Sequence, residues 1–327
     1  MKKHFKKLLL MALMAVMAVG LIACGTDKSD NESIKEEKTS VTITSLDASK
    51  NEIELEVPYN PKRIAILDLA SLDIIDELGV GDRVVGMAST SIDYLEKYSN
   101  DASIKNLGTI KEADLEAVME CEPDIIFIGG RLSKSYDALS EIAPVVYLAT
   151  DTNEGLVNSV SKNAKTIASI FGMEDKVDSL MSDFGVRIDT IKKISSGKTA
   201  LVGMTTSGSF NLLGNDGRCS LIGVEAGFNN LTAAGSTSTH GNESSFETVV
   251  QQNPDYIFVM DRDRDSAIST AGAKTAKEIV ENELVKTTDA YKNNHIIYLE
   301  HSNVWYTAEG GIQALDIMLT DLEKGLK

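Results

Sequence analysis

Asp114–Arg131 reads DLEAVMECEPDIIFIGGR, and Ser245–Arg262 reads SFETVVQQNPDYIFVMDR. Seven positions match at a constant separation of 131 residues: Glu116 with Glu247, Val118 with Val249, Pro123 with Pro254, Asp124 with Asp255, Ile126 with Ile257, Phe127 with Phe258 and Arg131 with Arg262. A fixed offset over apolar, Pro and charged positions argues for two similarly built halves. In each copy a short helix with an acidic first turn ends before a Pro-Asp pair, and the apolar run that follows predicts a fully buried strand of a parallel sheet. Each strand delivers an arginine just past its carboxyl end. Open α/β sheets bind ligands in the crevice outside those ends. Arg131 and Arg262 are therefore expected at one crevice, from opposite lobes, around an anionic ligand.

The size agrees with this reading. A chain of 327 residues with 43% hydrophobic content is large enough for two cores, because single cores stop growing at roughly 250–300 residues. The N-terminus, MKKHFKKLLLMALMAVMAVGLIAC, has a basic head and an apolar run of about fifteen residues, short for a membrane span of about 20. Leu21-Ile22-Ala23-Cys24 matches a bacterial lipoprotein signal, so cleavage before Cys24 and lipidation of its thiol would tether the protein to the outer face of the cytoplasmic membrane. The segment Gly25–Ser40 is rich in Asp, Glu, Ser and Lys and cannot repay its ordering entropy. The expected organisation is a signal peptide over 1–23, a tether over 24–40, an N-terminal α/β lobe over 41–152, a connecting helix over 153–172 and a C-terminal α/β lobe over 173–327. Cys121 and Cys219, one in each lobe, are expected as buried free thiols.

Processing would remove Lys2, Lys3, Lys6 and Lys7 and leave 28 basic residues against 49 acidic ones. Nucleic acid is excluded as a partner, since binding phosphate backbones needs clustered Lys and Arg. An anionic small molecule would be repelled by the bulk field and needs a local arginine cluster to hold it.

Along the chain, alternating residues predict a hairpin of Val41–Leu46 and Glu52–Val57 around Asp47–Asn51. A βαβ rhythm follows: a strand over Arg63–Leu67, a helix over Ser71–Leu78 stopped by Gly79, and a strand over Arg83–Met87, repeating through Leu148. Leu156, Val160, Ala164, Ile167, Ala168 and Phe171 fall on one face of a helix of about eighteen residues, a stiff strut of roughly 27 Å. One further amphipathic helix is expected over Glu174–Ile194. Thr199–Met204, Asp255–Met260 and Ile296–Leu299 predict strands of the second sheet. The fold class is thus α/β, two Rossmann-like lobes joined by a single long helix with the ligand cleft between them.

The chain resembles the class III periplasmic-type substrate-binding lipoproteins of iron-siderophore ABC importers, in the catecholate-siderophore branch. The resemblance rests on Pro61-Lys62-Arg63-Ile64, Leu78-Gly79-Val80-Gly81-Asp82-Arg83-Val84-Val85-Gly86, Leu107-Gly108, the Leu115–Ile128 unit, Thr239-His240-Gly241, and Trp305-Tyr306 after the strand Ile296–Leu299. It implies a ferric catecholate as ligand, held by Arg131, Arg218 and Arg262, with Trp305 beside the site. It also implies that His240 and Tyr306 could ligate Fe(III) where the siderophore leaves coordination positions open; His301, where the chain departs from the family's usual turn residue, is a further candidate. Guanidinium suits paired catechol oxygens because it stays charged and presents a planar fork. The resemblance further implies that Glu116 and Glu247 dock into the ABC permease dimer, that the protein is a monomer, and that it carries no intrinsic cofactor. Haem, cobalamin or a hydroxamate siderophore on the same scaffold is the alternative cargo.

Local explanations compete with some of these roles. Behind the N-caps Asp114 and Ser245, a glutamate in the first turn favours the helix dipole whatever else it does. Arg262 lies in Asp261-Arg262-Asp263-Arg264-Asp265, where alternating charge suits a solvated loop. No nucleophile elbow, Walker loop, H-E-x-x-H or complete G-x-G-x-x-G opens a helix in this sequence, so an enzyme is not expected.

Overall fold

The computed structural model describes residues 38–232, 237–238, 240–265 and 274–327. The expected signal peptide, Cys24 and most of the expected tether lie outside them. Thirteen strands are present among the described residues: β1 Ser40–Leu46, β2 Glu52–Pro58, β3 Ile64–Leu67, β4 Val84–Met87, β5 Lys105–Asn106, β6 Ile125–Ile128, β7 Val145–Tyr147, β8 Thr199–Thr206, β9 Ser209–Leu212, β10 Asn229–Asn230, β11 Asn242–Glu243, β12 Tyr256–Asp261 and β13 Ile296–Tyr298.

β1 and β2 form the expected antiparallel hairpin, from Ser40 opposite Pro58 to Leu46 opposite Glu52. Ser40, read from the sequence as the end of the tether, already belongs to the folded body. The Asp47 carboxylate closes the hairpin by accepting the Ser49 and Asn51 N–H groups at 2.8 and 2.9 Å. The first lobe is a parallel sheet in the order β5-β4-β3-β6-β7, and the second has the order β11-β9-β8-β12-β13 with β10 also beside β8. In the second sheet β9 and β11 run antiparallel, which the βαβ reading did not anticipate. Ser207 and Gly208 make the tight turn between β8 and β9 with φ of 51° and 81°, the left-handed pair that a two-residue hairpin needs.

Side chains alternate across a strand, and that alternation divides the core. Ile64, Ile66, Ile125 and Phe127 of the first sheet enter one apolar cluster together with Ala200, Val202, Tyr256 and Phe258 of the second. Their neighbours Ala65, Leu67, Ile126 and Ile128 pack in a second cluster on the other face of the first sheet, and Leu201, Ile257 and Val259 in a third. The two lobes therefore share one core between their facing sheet surfaces and keep a smaller one each on the outer faces. Two helices make this possible. Leu156–Phe171, sixteen residues long, and Ile312–Gly325 each bury one face in the shared cluster.

The helix expected over Glu174–Ile194 is two helices, Glu174–Leu180 and Phe184–Ser195. The Ser182 hydroxyl donates to the Ser179 carbonyl at 2.9 Å, the local competition with the backbone ladder that serine offers. Buried Phe184 then starts the second helix on the core.

The sequence repeat has a visible structural cause. β6 lies beside β3, and the Asp124 carboxylate accepts the N–H groups of Lys62 and Arg63 at 2.7 and 2.9 Å, just where β3 begins. β12 lies beside β8, and Asp255 accepts the N–H and hydroxyl of Thr199 at 2.8 and 2.9 Å, where β8 begins. The Pro-Asp pair thus anchors the neighbouring strand in both lobes.

Candidate functional site

The carboxyl ends of β3, β6, β8 and β12 face one cleft. From the first lobe, β6 runs into the turn Gly129-Gly130-Arg131. From the second, Arg262 follows β12 directly, and the loop Gly214–Arg218 leaves β9. That loop is held from several sides: Gly214 N–H donates to the Thr237 hydroxyl at 2.9 Å, and the Asp216 carboxylate accepts the Thr237 N–H at 2.7 Å. The helix Ser302–Thr307 brings Tyr306 into the same space.

The three arginines meet over this one ring. The Arg218 Cζ atom lies 4.3 Å from the centre of the Tyr306 ring, Arg262 5.3 Å and Arg131 5.5 Å, all within cation–π range. Arg131 Nη2 and Arg218 Nε both donate to the Tyr306 carbonyl at 3.2 Å. Arg262 Nη1 donates to the Thr206 hydroxyl at the end of β8 and lies 3.8 Å from the Asp263 carboxylate.

Electrostatics follow from that crowding. Burial, reinforced by the nearby Arg131 charge, pushes the Arg218 guanidinium below its ordinary value. Burial alone would raise the Tyr306 phenol, yet the charges of Arg218, Arg262 and Arg131 outweigh it and hold the phenol below its ordinary value. Three like charges in a partly desolvated cleft disfavour one another, and an anion between them relieves the repulsion. Perturbed groups converging in a cleft mark a functional site.

Behind the arginines stand carboxylates that the sequence reading passed over. A cavity of about 220 Å³ is lined by Asp68 and Arg131 from the first lobe, Asn163 from the connecting helix, and Arg218, Tyr306 and Glu309 from the second. Asp68 caps the helix Leu69–Glu77 by accepting the Ser71 N–H and hydroxyl at 2.9 and 2.8 Å; burial raises its pKa against the help of those bonds and of Arg131. A Cβ on Gly129 would stand 2.5 Å from its Oδ1, so the turn leading to Arg131 has room only for glycine there. Glu309 accepts the Cys219 N–H at 2.9 Å. The signal that could have found both is position: Asp68 immediately follows β3 at its carboxyl end, and Glu309 precedes a Gly-Gly pair beside Tyr306.

A sequence profile described as periplasmic binding protein matches residues 64–302. The chain belongs to the periplasmic binding protein family. Members of this family are solute-binding proteins. The petrobactin-binding protein YclQ of Bacillus subtilis is 35% identical over 98% of this chain and 99% of its own length. Its crystal structure superposes with a TM-score of 0.79, covering 88% of this chain and 99% of that one. The catecholate-siderophore binding protein VctP of Vibrio cholerae gives a TM-score of 0.77 at 30% identity, over 87% of this chain and all of that one. The ferric-anguibactin-binding protein FatB of Vibrio anguillarum is 26% identical over 96% of each chain.

Other sequence-predicted residues of this family member fall in different places. His240 is exposed, and its pKa is lowered by partial burial first and then by the charges of Arg262, Arg218, Lys111 and Arg131; its preceding neighbour Thr239 and residues 233–236 lie outside the described set. Trp305 does not line the cleft. It is fully buried and donates its indole N–H to Asp321 at 3.0 Å; consecutive side chains on a helix are rotated by about 100°, which turns Tyr306 to the cleft and Trp305 to the core. His301 is likewise committed elsewhere, with Nδ1 2.8 Å from Asp321 and its backbone N–H donating to the same carboxylate. It is not among the residues that line the arginine cleft. Glu116 and Glu247 are exposed in the first turns of the helices Leu115–Glu120 and Phe246–Gln252, behind the side-chain caps Asp114 and Ser245. Cys121 and Cys219 are buried free thiols.

Proposed function

We propose that this protein captures a ferric catecholate siderophore outside the cytoplasmic membrane and hands it to an ABC permease for iron uptake. The observation that carries the reading is the convergence of Arg131, Arg218 and Arg262, from three separate segments, on Tyr306. An anionic iron chelate brings negative charge to the three guanidinium groups, and charge-assisted bonds to their planar forks match paired catechol oxygens. Relatives whose names specify petrobactin and catecholate siderophores support the same class of cargo.

Tyr306 and His240 complete the coordination of Fe(III) when the siderophore provides fewer than six donors. Lowering the phenol's pKa eases its deprotonation by a metal, and lowering the imidazole's favours its neutral, donating form; hard Fe(III) accepts oxygen together with imidazole nitrogen. Cys24 carries the lipid anchor, and Glu116 and Glu247, one on each lobe, engage a dimeric permease while the receptor itself stays monomeric. The shared core and the single connecting helix favour limited closure over wide opening.

Calorimetric titration with ferric petrobactin and with a ferric hydroxamate tests the cargo. Saturable binding of the catecholate alone is expected. No response, or equal affinity for the hydroxamate, would overturn the assignment. Tyr306→Phe is expected to shift the visible charge-transfer band of the bound complex while retaining binding; an unchanged spectrum removes Tyr306 from the iron.

A further inference from the structure

Glu309 stands at the meeting point of two cavities. One, of about 220 Å³, is lined by Arg131, Arg218 and Tyr306; the other, of about 380 Å³, by Asp151, Leu156, Asp216 and Arg218. Its Oε1 takes the N–H of Cys219, the residue after Arg218 in the chain. That bond fixes the carboxylate beside the arginine on a loop that cannot easily withdraw, and it leaves Oε2 able to carry a proton without the bond being lost. The cleft therefore contains permanent positive charge from arginine and, beside Arg218, a carboxyl whose charge can change, with Asp68 behind Arg131.

Building on the siderophore reading above, we infer that Glu309 is a specificity-determining residue that takes up a proton from solvent when an anionic chelate enters the cleft, so that capture is proton-coupled. In the empty cleft the Arg218 charge favours the ionised carboxylate. A polyanion arriving against Arg218 offsets that charge and repels the carboxylate, and protonation on Oε2 removes the repulsion. No bond breaks, and the carboxylate simply becomes a carboxylic acid. The result is a receptor that binds more tightly as the outside acidifies.

The surroundings of Glu309 allow this range. Burial raises its pKa to about 7 although Arg218 and the Cys219 N–H lower it, and the Glu225 carboxylate adds a smaller push upward. Glu225 is itself engaged, accepting the Val157 N–H at the start of the connecting helix at 3.1 Å. Across the cleft stand Arg131 and Asp68; Tyr306 lies one helical turn earlier, and Asp151 and Asp216 line the adjoining cavity. With a free-state value near 7, Glu309 is already neutral at pH 6 and ionised at pH 8, so the linkage acts between these limits.

The test compares the full-length protein with Glu309→Gln, using ferric petrobactin from pH 6 to pH 8.5. Taking the ratio of the two dissociation constants at each pH cancels titration of the ligand and of Asp68. The wild-type constant is expected to rise relative to the variant by about tenfold between pH 6 and pH 8, and a ratio that stays flat would overturn the inference. Calorimetry of the wild type in two buffers of different ionisation enthalpy reads the same event directly and does not depend on the variant folding. Net uptake approaching one proton per ligand above pH 7, absent at pH 6, is expected, and no uptake refutes it. If the wild type binds no catecholate at any pH, the functional reading fails and this inference with it, an outcome distinct from pH-independent binding.

Discussion

The two copies of the repeated unit begin alike and end differently. Asp124 and Asp255 perform one task, holding the N–H groups at the entry to β3 and the start of β8. The strands that follow are unequal, four residues in β6 and six in β12. Arg131 consequently sits three residues past its strand, in a glycine turn, whereas Arg262 follows its strand at once. Yet the two guanidinium carbons end 5.5 and 5.3 Å from the same tyrosine ring. The anchor is preserved by geometry of the backbone, the arginine by its destination. Around them the lobes differ freely, the first sheet all parallel and the second bordered by antiparallel strands.

That comparison can be broken most forcefully at the arginines. Removing both with Arg131→Ala and Arg262→Ala is expected to weaken ferric-catecholate binding by about 3–6 kcal/mol, from about 1.5–3 for each charge-assisted contact, with each single variant losing about 10- to 150-fold in affinity. Titration decides it, and a large loss in only one of the singles would mean that the halves contribute unequally.

Next in size is a feature of the first half with no counterpart in the second. Buried Asp73 accepts the N–H groups of Gln313 and Ala314 at 2.9 Å each, and the Tyr94 hydroxyl at 2.6 Å, tying the first lobe to the start of the helix Ile312–Gly325. Asp73→Ala leaves three donors without this acceptor and is expected to lower unfolding stability by about 2–4 kcal/mol, measured by denaturant melts. Its pH signature is distinctive. Burial raises the Asp73 pKa from 3.8 to about 6, so its stabilising contribution is complete below pH 4 and is lost as pH rises through 6.

The anchors give a smaller, matched pair of effects. Asp124→Ala and Asp255→Ala are each expected to cost about 1–2 kcal/mol of stability, similar in the two lobes. Asp255 also shows the opposite pH sign to Asp73. Hydrogen bonds, led by the Thr199 N–H, hold its pKa below 3.8, so its contribution is present above that pH and disappears as acid protonates it. Stability measured from pH 3 to pH 7 in Asp73→Ala and Asp255→Ala separates the two signs. The smallest effect belongs to the exposed pair. Replacing Glu116 and Glu247 by alanine is expected to leave siderophore affinity unchanged while reducing whole-cell iron uptake, and unchanged uptake would remove them from permease docking.

Much of this was legible in the residue order. The hairpin, the β3 to β7 rhythm, the connecting helix and the repeated Pro-Asp strands follow from local periodicity, turn chemistry and capping residues. Three of the site residues, Arg131, Arg218 and Arg262, were also identified from motifs and their place after strands. Other features depend on distances that no local pattern encodes. Trp305 and Tyr306 are neighbours in sequence, but one is core and the other is the platform for three cations, a choice made by how the helix Ser302–Thr307 seats against Asp321. Glu309 and Asp68 look like ordinary turn and cap residues until folding sets them behind Arg218 and Arg131.

The sequence by itself determined that two related α/β units exist and that each ends in an arginine, because periodicity and backbone anchoring act over a few residues. Only the tertiary structure decided that the units share one core, that the arginines close on a single phenol, and which carboxylates lie within reach of them. Burial and Coulomb interactions depend on separations between segments far apart in the chain, and those separations exist only once the lobes have packed.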